Sequence, residues 1–348
     1  MKRKIVSFIL SISLLSLAGC AGADTSVMGQ GYAAMEEGDY VTAIAIFDRA
    51  TGEEQVAQRD VLRAKGIAYL GNGNYDKAIQ NFEDALRLSN GIVTDTDIDT
   101  SIYLAIAQYK QGMWQEAMDT FNYVIDFEPK SASAHYLRGK LELIKGDKDA
   151  ALNDFDEAVL IEPGDYDAYI RICEDLRESG YTDESNEYIQ KAMAVSSRLS
   201  SYNRGVLEYY LGNYTDARND LEEARKKNAL SENGALYLGR TYEALGDVEY
   251  AINVYEEGLA ANPGSNQLCN QLVLTKMSQK DYKGAIDIID AALSGGSNGK
   301  SQSLMYNRAV AYEYLYDFKS AAQYMKEYLE SYPDDEKAKR EYVFLSTR

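Results

Sequence analysis

The sequence has one histidine, three cysteines, four prolines and one tryptophan in 348 residues. A lone histidine, His135, leaves the commonest general base and metal ligand without partners. Three cysteines are too few for a thiolate-rich zinc site or a disulfide scaffold. Cations are scarce too: 36 Lys and Arg stand against 55 Asp and Glu, a formal net charge of −19. A nucleic-acid binder needs a basic face to neutralise phosphates, so that class is excluded. No Walker loop, HExxH, GxSxG or Rossmann glycine fingerprint occurs. No apolar run outside the first twenty residues approaches the length of a membrane span. What is abundant is tyrosine, 29 residues against 8 Phe. At about 150 residues per domain the length suggests two domains, a reading that the repeats below replace.

The first twenty residues form a leader. Lys2, Arg3 and Lys4 are a basic n-region, and Ile5 to Leu17 is a run of apolar residues and serine. That run is too short to span about 30 Å of hydrocarbon but suits a signal h-region. It ends in Leu17-Ala18-Gly19-Cys20. This order resembles the lipobox of bacterial lipoproteins. The resemblance implies cleavage of residues 1–19, a covalent diacylglyceryl (palmitate-type) lipid on Cys20, and an extracytoplasmic, membrane-anchored protein. Residues 20–26 are then the lipidated N-terminus and a short tether. Two or more acyl chains anchor stably where one holds only marginally. Cleavage removes three positive charges and no negative ones, so an acidic body near −22 relies on its lipid for attachment.

The rest of the chain is periodic. Gly73-x-Tyr75-x-x-Ala78-x-x-x-Phe82-x-x-Ala85 recurs as Gly38, Tyr40, Ala43, Phe47; as Gly112, Trp114, Ala117, Phe121; and as Gly146, Lys148, Ala151, Phe155. It recurs more loosely downstream, with Lys280 in place of the glycine in the eighth copy and Tyr316 opening the ninth. The small residue falls at 43, 78, 117, 151, 185, 217, 251, 285 and 321, at intervals of 32 to 39 with 34 the commonest. Pro129, Pro163, Pro263 and Pro333 occupy one place in the repeat. The spacing predicts two amphipathic helices per unit. Glycine ends the first helix, Tyr or Trp opens the second, Ala permits close approach, and Pro stops the second helix. A glycine seven before the first-helix end (Gly31, Gly66, Gly139, Gly205, Gly239) marks the tightest crossing.

This pattern resembles the tetratricopeptide repeat family. The resemblance implies an all-α, right-handed superhelical solenoid over 24–334. Nine repeats are expected at about 24–57, 59–92, 98–131, 132–165, 166–197, 198–231, 232–265, 266–299 and 302–335. Breaks in the period predict exposed, turn-rich loops at Leu88 to Thr100 and Ser294 to Ser301. Residues 335–348 are expected to form a polar capping helix.

Little of the remaining chemistry points to catalysis. His135 should pack against its own second helix, and Cys173 and Cys269 should be buried thiols. Acidic pairs such as Glu222-Glu223 and Glu256-Glu257 read as solvated helix faces. Eight tyrosines fall at core spacings: Tyr40, Tyr69, Tyr75, Tyr214, Tyr242, Tyr255, Tyr282 and Tyr312. Eight more lie on the opposite face of the first helices, which in the family lines the concave groove: Tyr32, Tyr109, Tyr136, Tyr202, Tyr209, Tyr210, Tyr306 and Tyr314. Arg63, Lys110, Lys140, Arg177 and Arg240 share that face, with Glu36, Glu174, Glu178 and Glu243. Tyr and Arg suit binding hot spots because they join area to a polar tip; the alternative is that these rings fill gaps between adjacent first helices. The family's Lys–Asn clamp for a peptide carboxylate is absent.

The expected function is that of a lipid-anchored scaffold binding a partner protein, as an extended peptide or a helix, in its groove. The rivals are a cell-wall glycan or peptidoglycan binder, favoured by the aromatic faces, and more distantly an enzyme. No metal and no cofactor other than the Cys20 lipid is expected.

Overall fold

A computed structural model describes residues 26–52, 56–89, 91–195, 199–227, 231–294 and 301–348. The leader, Cys20 and residues 21–25 of the tether lie outside the described residues, as do positions 295–300 of the expected loop after Ser294. The described residues form nineteen helices and no strand, and no helix among them is long and apolar enough to cross a membrane.

The chain divides into two compact units, residues 1–113 and 114–348. The division falls inside the third expected repeat, between its two helices. The first unit holds α1 (Val27–Glu36), α2 (Tyr40–Ala50), α3 (Gln58–Gly71), α4 (Tyr75–Arg87) and α5 (Asp95–Gln111). The second holds α6 (Trp114–Phe127), α7 (Ala132–Lys145), α8 (Lys148–Ile161), α9 (Tyr166–Glu178), α10 (Thr182–Val195), α11 (Ser201–Leu211) and α12 (Tyr214–Lys227). It continues with α13 (Glu232–Leu245), α14 (Val248–Ala261), α15 (Asn266–Ser278), α16 (Tyr282–Ser294), α17 (Gln302–Tyr314), α18 (Phe318–Ser331) and α19 (Glu336–Ser346). Within each unit every helix packs chiefly on its neighbours in the chain, which is the all-α helix-turn-helix solenoid.

The repeat pattern is carried by specific contacts. The small residues at 43, 78, 117, 151, 185, 217, 251, 285 and 321 are all fully buried, and Phe47, Phe82 and Phe155 are buried beside theirs. A Cβ added at Gly239 would collide with the Tyr255 ring, so the first and second helices of that repeat meet backbone to ring. Gly112, Gly146, Gly212 and Gly246 cap first helices in the left-handed conformation. In four repeats the residue after the left-handed position (Gly38, Gly73, Gly146 or Tyr316) caps the second helix: Asp39, Asn74, Asp147 and Asp317 each accept a backbone N–H three residues on. The helices before the four prolines end two residues short of them, at Phe127, Ile161, Ala261 and Ser331.

Two expectations need correction. The stretch Leu88 to Thr100 is not one long loop. Thr94 and Asp97 form a capping box, and α5 begins at Asp95. Acidic side chains in its first turn suit the positive end of the helix dipole. The helix over 335–348 exists, but its outer face is not wholly polar. Val343 is 62 % exposed and Phe344 41 % exposed, because among the described residues no second helix covers α19 as one covers every earlier first helix.

Candidate functional site

In the second unit the first helices α7, α9, α11, α13, α15 and α17 lie side by side, so side chains one repeat apart meet. Tyr136 and Lys140 on α7 do not line an open surface. Both are buried, and both point at buried Asp175 of α9. The Tyr136 hydroxyl donates to Oδ2 at 2.8 Å and the Lys140 ammonium to Oδ1 at 2.5 Å. Burial lowers the Lys140 pKa and raises that of Asp175, against their mutual attraction. These two residues follow the gap-filling alternative: they join neighbouring first helices.

Arg177 is similarly engaged. Its guanidinium donates to Ser185 Oγ at 3.0 Å, to Asn186 Oδ1 at 2.7 Å and to the Tyr210 carbonyl at 2.7 Å, tying α9 to α10 and α11. The Tyr210 and Tyr237 hydroxyls both donate to Glu174 Oε1, at 2.7 and 2.9 Å, and lie 2.9 Å apart. Burial and the Glu174 charge push both phenols well above their ordinary pKa. Glu243 accepts from Tyr255, Gln271 and Thr275. Glu174 and Tyr237 as a knot between three helices escape a reading by repeat position, because their partners sit on other repeats.

The face opens beside this knot. Tyr202 and Tyr209 on α11 and Arg240 on α13 are half-buried. The Tyr209 ring packs on Tyr210, Tyr214 and Tyr237 at 5.4, 5.7 and 5.8 Å. Burial raises the Tyr209 pKa while nearby Arg240 acts to lower it, and burial, then Asp167 and Glu174, raises that of Tyr202. Among the described residues the Arg240 side chain has no hydrogen bond or ion pair. This leaves a cation and two phenols at the edge of an aromatic cluster.

The other candidates lie elsewhere. In the second unit Tyr306 packs edge-on against Tyr328 at 5.5 Å, with the Lys337 ammonium 5.0 Å from its ring. Tyr314 is exposed and stacks on Tyr282. In the first unit Tyr32 packs on Phe47 at 5.6 Å, and Arg63 pairs with Asp99. The Lys110 ammonium lies 5.9 Å from the Tyr109 ring.

His135 is structural, as expected: Nδ1 lies 3.0 Å from Asp154 Oδ1 and Nε2 3.1 Å from the Pro129 carbonyl. Arg138 holds the same carboxylate with two hydrogen bonds. Cys173 and Cys269 are buried free thiols, raised by burial to about 12 and about 11. Neither is a thiolate nucleophile near neutral pH.

Comparison with known proteins places this architecture. Profiles described as tetratricopeptide repeat match residues 69–141, 132–165, 202–266 and 303–335, together more than half of the chain. A TPR repeat-containing protein of Methanocaldococcus jannaschii is 25 % identical over 276 residues, 74 % of this chain and 41 % of that protein. A mitochondrial import receptor subunit of Homo sapiens is 24 % identical over 163 residues, 46 % of this chain and 26 % of its own. The chain thus spans less than half the length of these relatives. The crystal structure of a tetratricopeptide repeat protein from Parabacteroides merdae matches 73 % of this chain and 98 % of its own, at 16 % identity and a TM-score of 0.48.

Proposed function

Because the chain belongs to the tetratricopeptide repeat family, we propose that it is a non-enzymatic interaction scaffold whose first-helix face in the second unit binds a partner protein as an extended peptide or a helix. The observation that carries this reading is the cluster of Tyr202, Tyr209 and Arg240. An unpaired guanidinium beside aromatic rings offers both area and a directed charge. A photo-cross-linking residue at position 209 is expected to give discrete protein adducts in cells, weakened by Arg240→Gln. Retention on purified cell wall, abolished by Tyr202→Ala and Tyr209→Ala and unaccompanied by any protein adduct, would replace this reading with glycan binding.

The scaffold is held outside the cytoplasm by a lipid on Cys20. The support is the order of basic n-region, apolar run and Leu17-Ala18-Gly19-Cys20. Cys20→Ser is expected to leave the chain unprocessed or to release it from the membrane fraction. A Cys20→Ser chain that is cleaved normally and stays anchored would defeat the lipid reading.

A further inference from the structure

In seven repeats the left-handed residue between the two helices is glycine: Gly38, Gly73, Gly112, Gly146, Gly180, Gly212 and Gly246, with φ between 75° and 91°. In the last two it is Lys280, at φ 63°, and Tyr316, at φ 61°. Among the described residues these are the only non-glycine residues with positive φ. A β-carbon in that region strains the backbone, and glycine relieves the strain without other change. Neither side chain gains packing in exchange. Tyr316 is 81 % exposed, and its ring meets Phe318 edge-on at 6.2 Å. Lys280 is exposed and makes no ion pair among the described residues. Strain held at an exposed site without a structural return points to a use outside the fold.

The two turns adjoin. Tyr282 and Tyr314, two residues from Lys280 and Tyr316, stack at 5.0 Å with their planes 5° apart, and Tyr314 is 57 % exposed. Lys283 and Lys319 follow in the first turns of α16 and α18, also exposed and without ion pairs among the described residues. The carboxylates between these lysines are engaged. Asp281 Oδ1 accepts the Gly284 N–H at 3.0 Å; Asp317 accepts the Ser320 N–H at 3.1 Å and its hydroxyl at 2.7 Å. One corner of a chain with net charge −19 therefore shows three exposed ammonium groups that make no ion pair among the described residues, beside two exposed phenol rings.

We propose that this corner is a second docking surface, separate from the first-helix face, for an acidic segment of a partner protein that carries aromatic or proline residues. The charge complementarity sets the acidic character, since the lysines donate and the two aspartates between them are already engaged. The flat ring faces of Tyr314 and Tyr316 suit proline or aromatic side chains.

The test is selection of phage-displayed random dodecapeptides on the full chain. The wild type is expected to enrich peptides with clustered Asp or Glu beside Pro, Tyr, Phe or Trp. Synthetic copies of them are expected to bind Lys280→Gly/Tyr316→Gly about tenfold more weakly, and Tyr202→Ala/Arg240→Gln unchanged. The double glycine variant is expected to melt about 2 °C higher or more, so lost binding cannot reflect lost folding. Peptides without acidic bias, or no enrichment at all, would overturn the proposal. Peptides weakened only by Tyr202→Ala/Arg240→Gln would overturn it while leaving the first-helix reading in place. Vesicles of equal parts phosphatidylcholine and phosphatidylglycerol provide the last arm. If they pellet the wild type, fail to pellet the glycine variant, and no acidic peptide is selected, the corner belongs to a lipid surface instead.

Discussion

Asp175 is held by two donors from the preceding repeat, and removing one leaves a buried carboxylate short of compensation. Lys140→Met is expected to destabilise the second unit by about 3 kcal/mol, read from urea unfolding. Adding Asp175→Leu is expected to recover most of that loss, because the uncompensated charge goes with it. Asp97 behaves differently. Burial acts to raise its pKa, but hydrogen bonds from Thr94 and Ser89 and the charge of Arg59 outweigh it and hold the carboxyl below its usual range. Its stabilisation is therefore complete above the unfolded pKa of about 4 and fades as pH falls through the lower folded value. Thr94→Ala is expected to lower the urea midpoint at neutral pH, with the gap to wild type closing on acidification. An equal gap at neutral and strongly acidic pH would assign the effect to the helix cap alone.

Helix pairs depend on the small residues between them. Gly239→Ala sets a methyl against the Tyr255 ring and is expected to cost about 1–3 kcal/mol in an unfolding titration. This level of structure was legible, because Ala251, Gly239 and Pro263 each answer a local steric demand that recurs every repeat. The stretch after Leu88 was misread because Asp-rich sequence suits both a turn and a helix start; only the Thr94–Asp97 pairing decides between them. The candidate site was legible as a face but not as a set of open side chains. Tyr136 and Lys140 meet Asp175, and Tyr210 meets Glu174, a whole repeat away. Which polar tips find such partners depends on the packing of neighbouring first helices, not on position within one repeat. Tyr316 had no place in either tyrosine set, since its interest lies in its backbone conformation.

At the scale of the molecule, nearest-neighbour packing confines damage. Gly239→Ala is expected to reduce amide protection in α13, α14 and the helices beside them, and to leave α1 to α4 unchanged by hydrogen exchange. Loss of protection throughout both units would contradict nearest-neighbour stability. The buried thiols have a practical consequence at this scale. Cys173 and Cys269, shut away at raised pKa, are chemically silent toward maleimides near neutral pH. With Cys20 acylated as proposed, a single cysteine introduced at exposed Ser303 could be labelled without removing any native cysteine. The repeat core thus leaves the surface free for site-specific fluorophores that report a partner's approach.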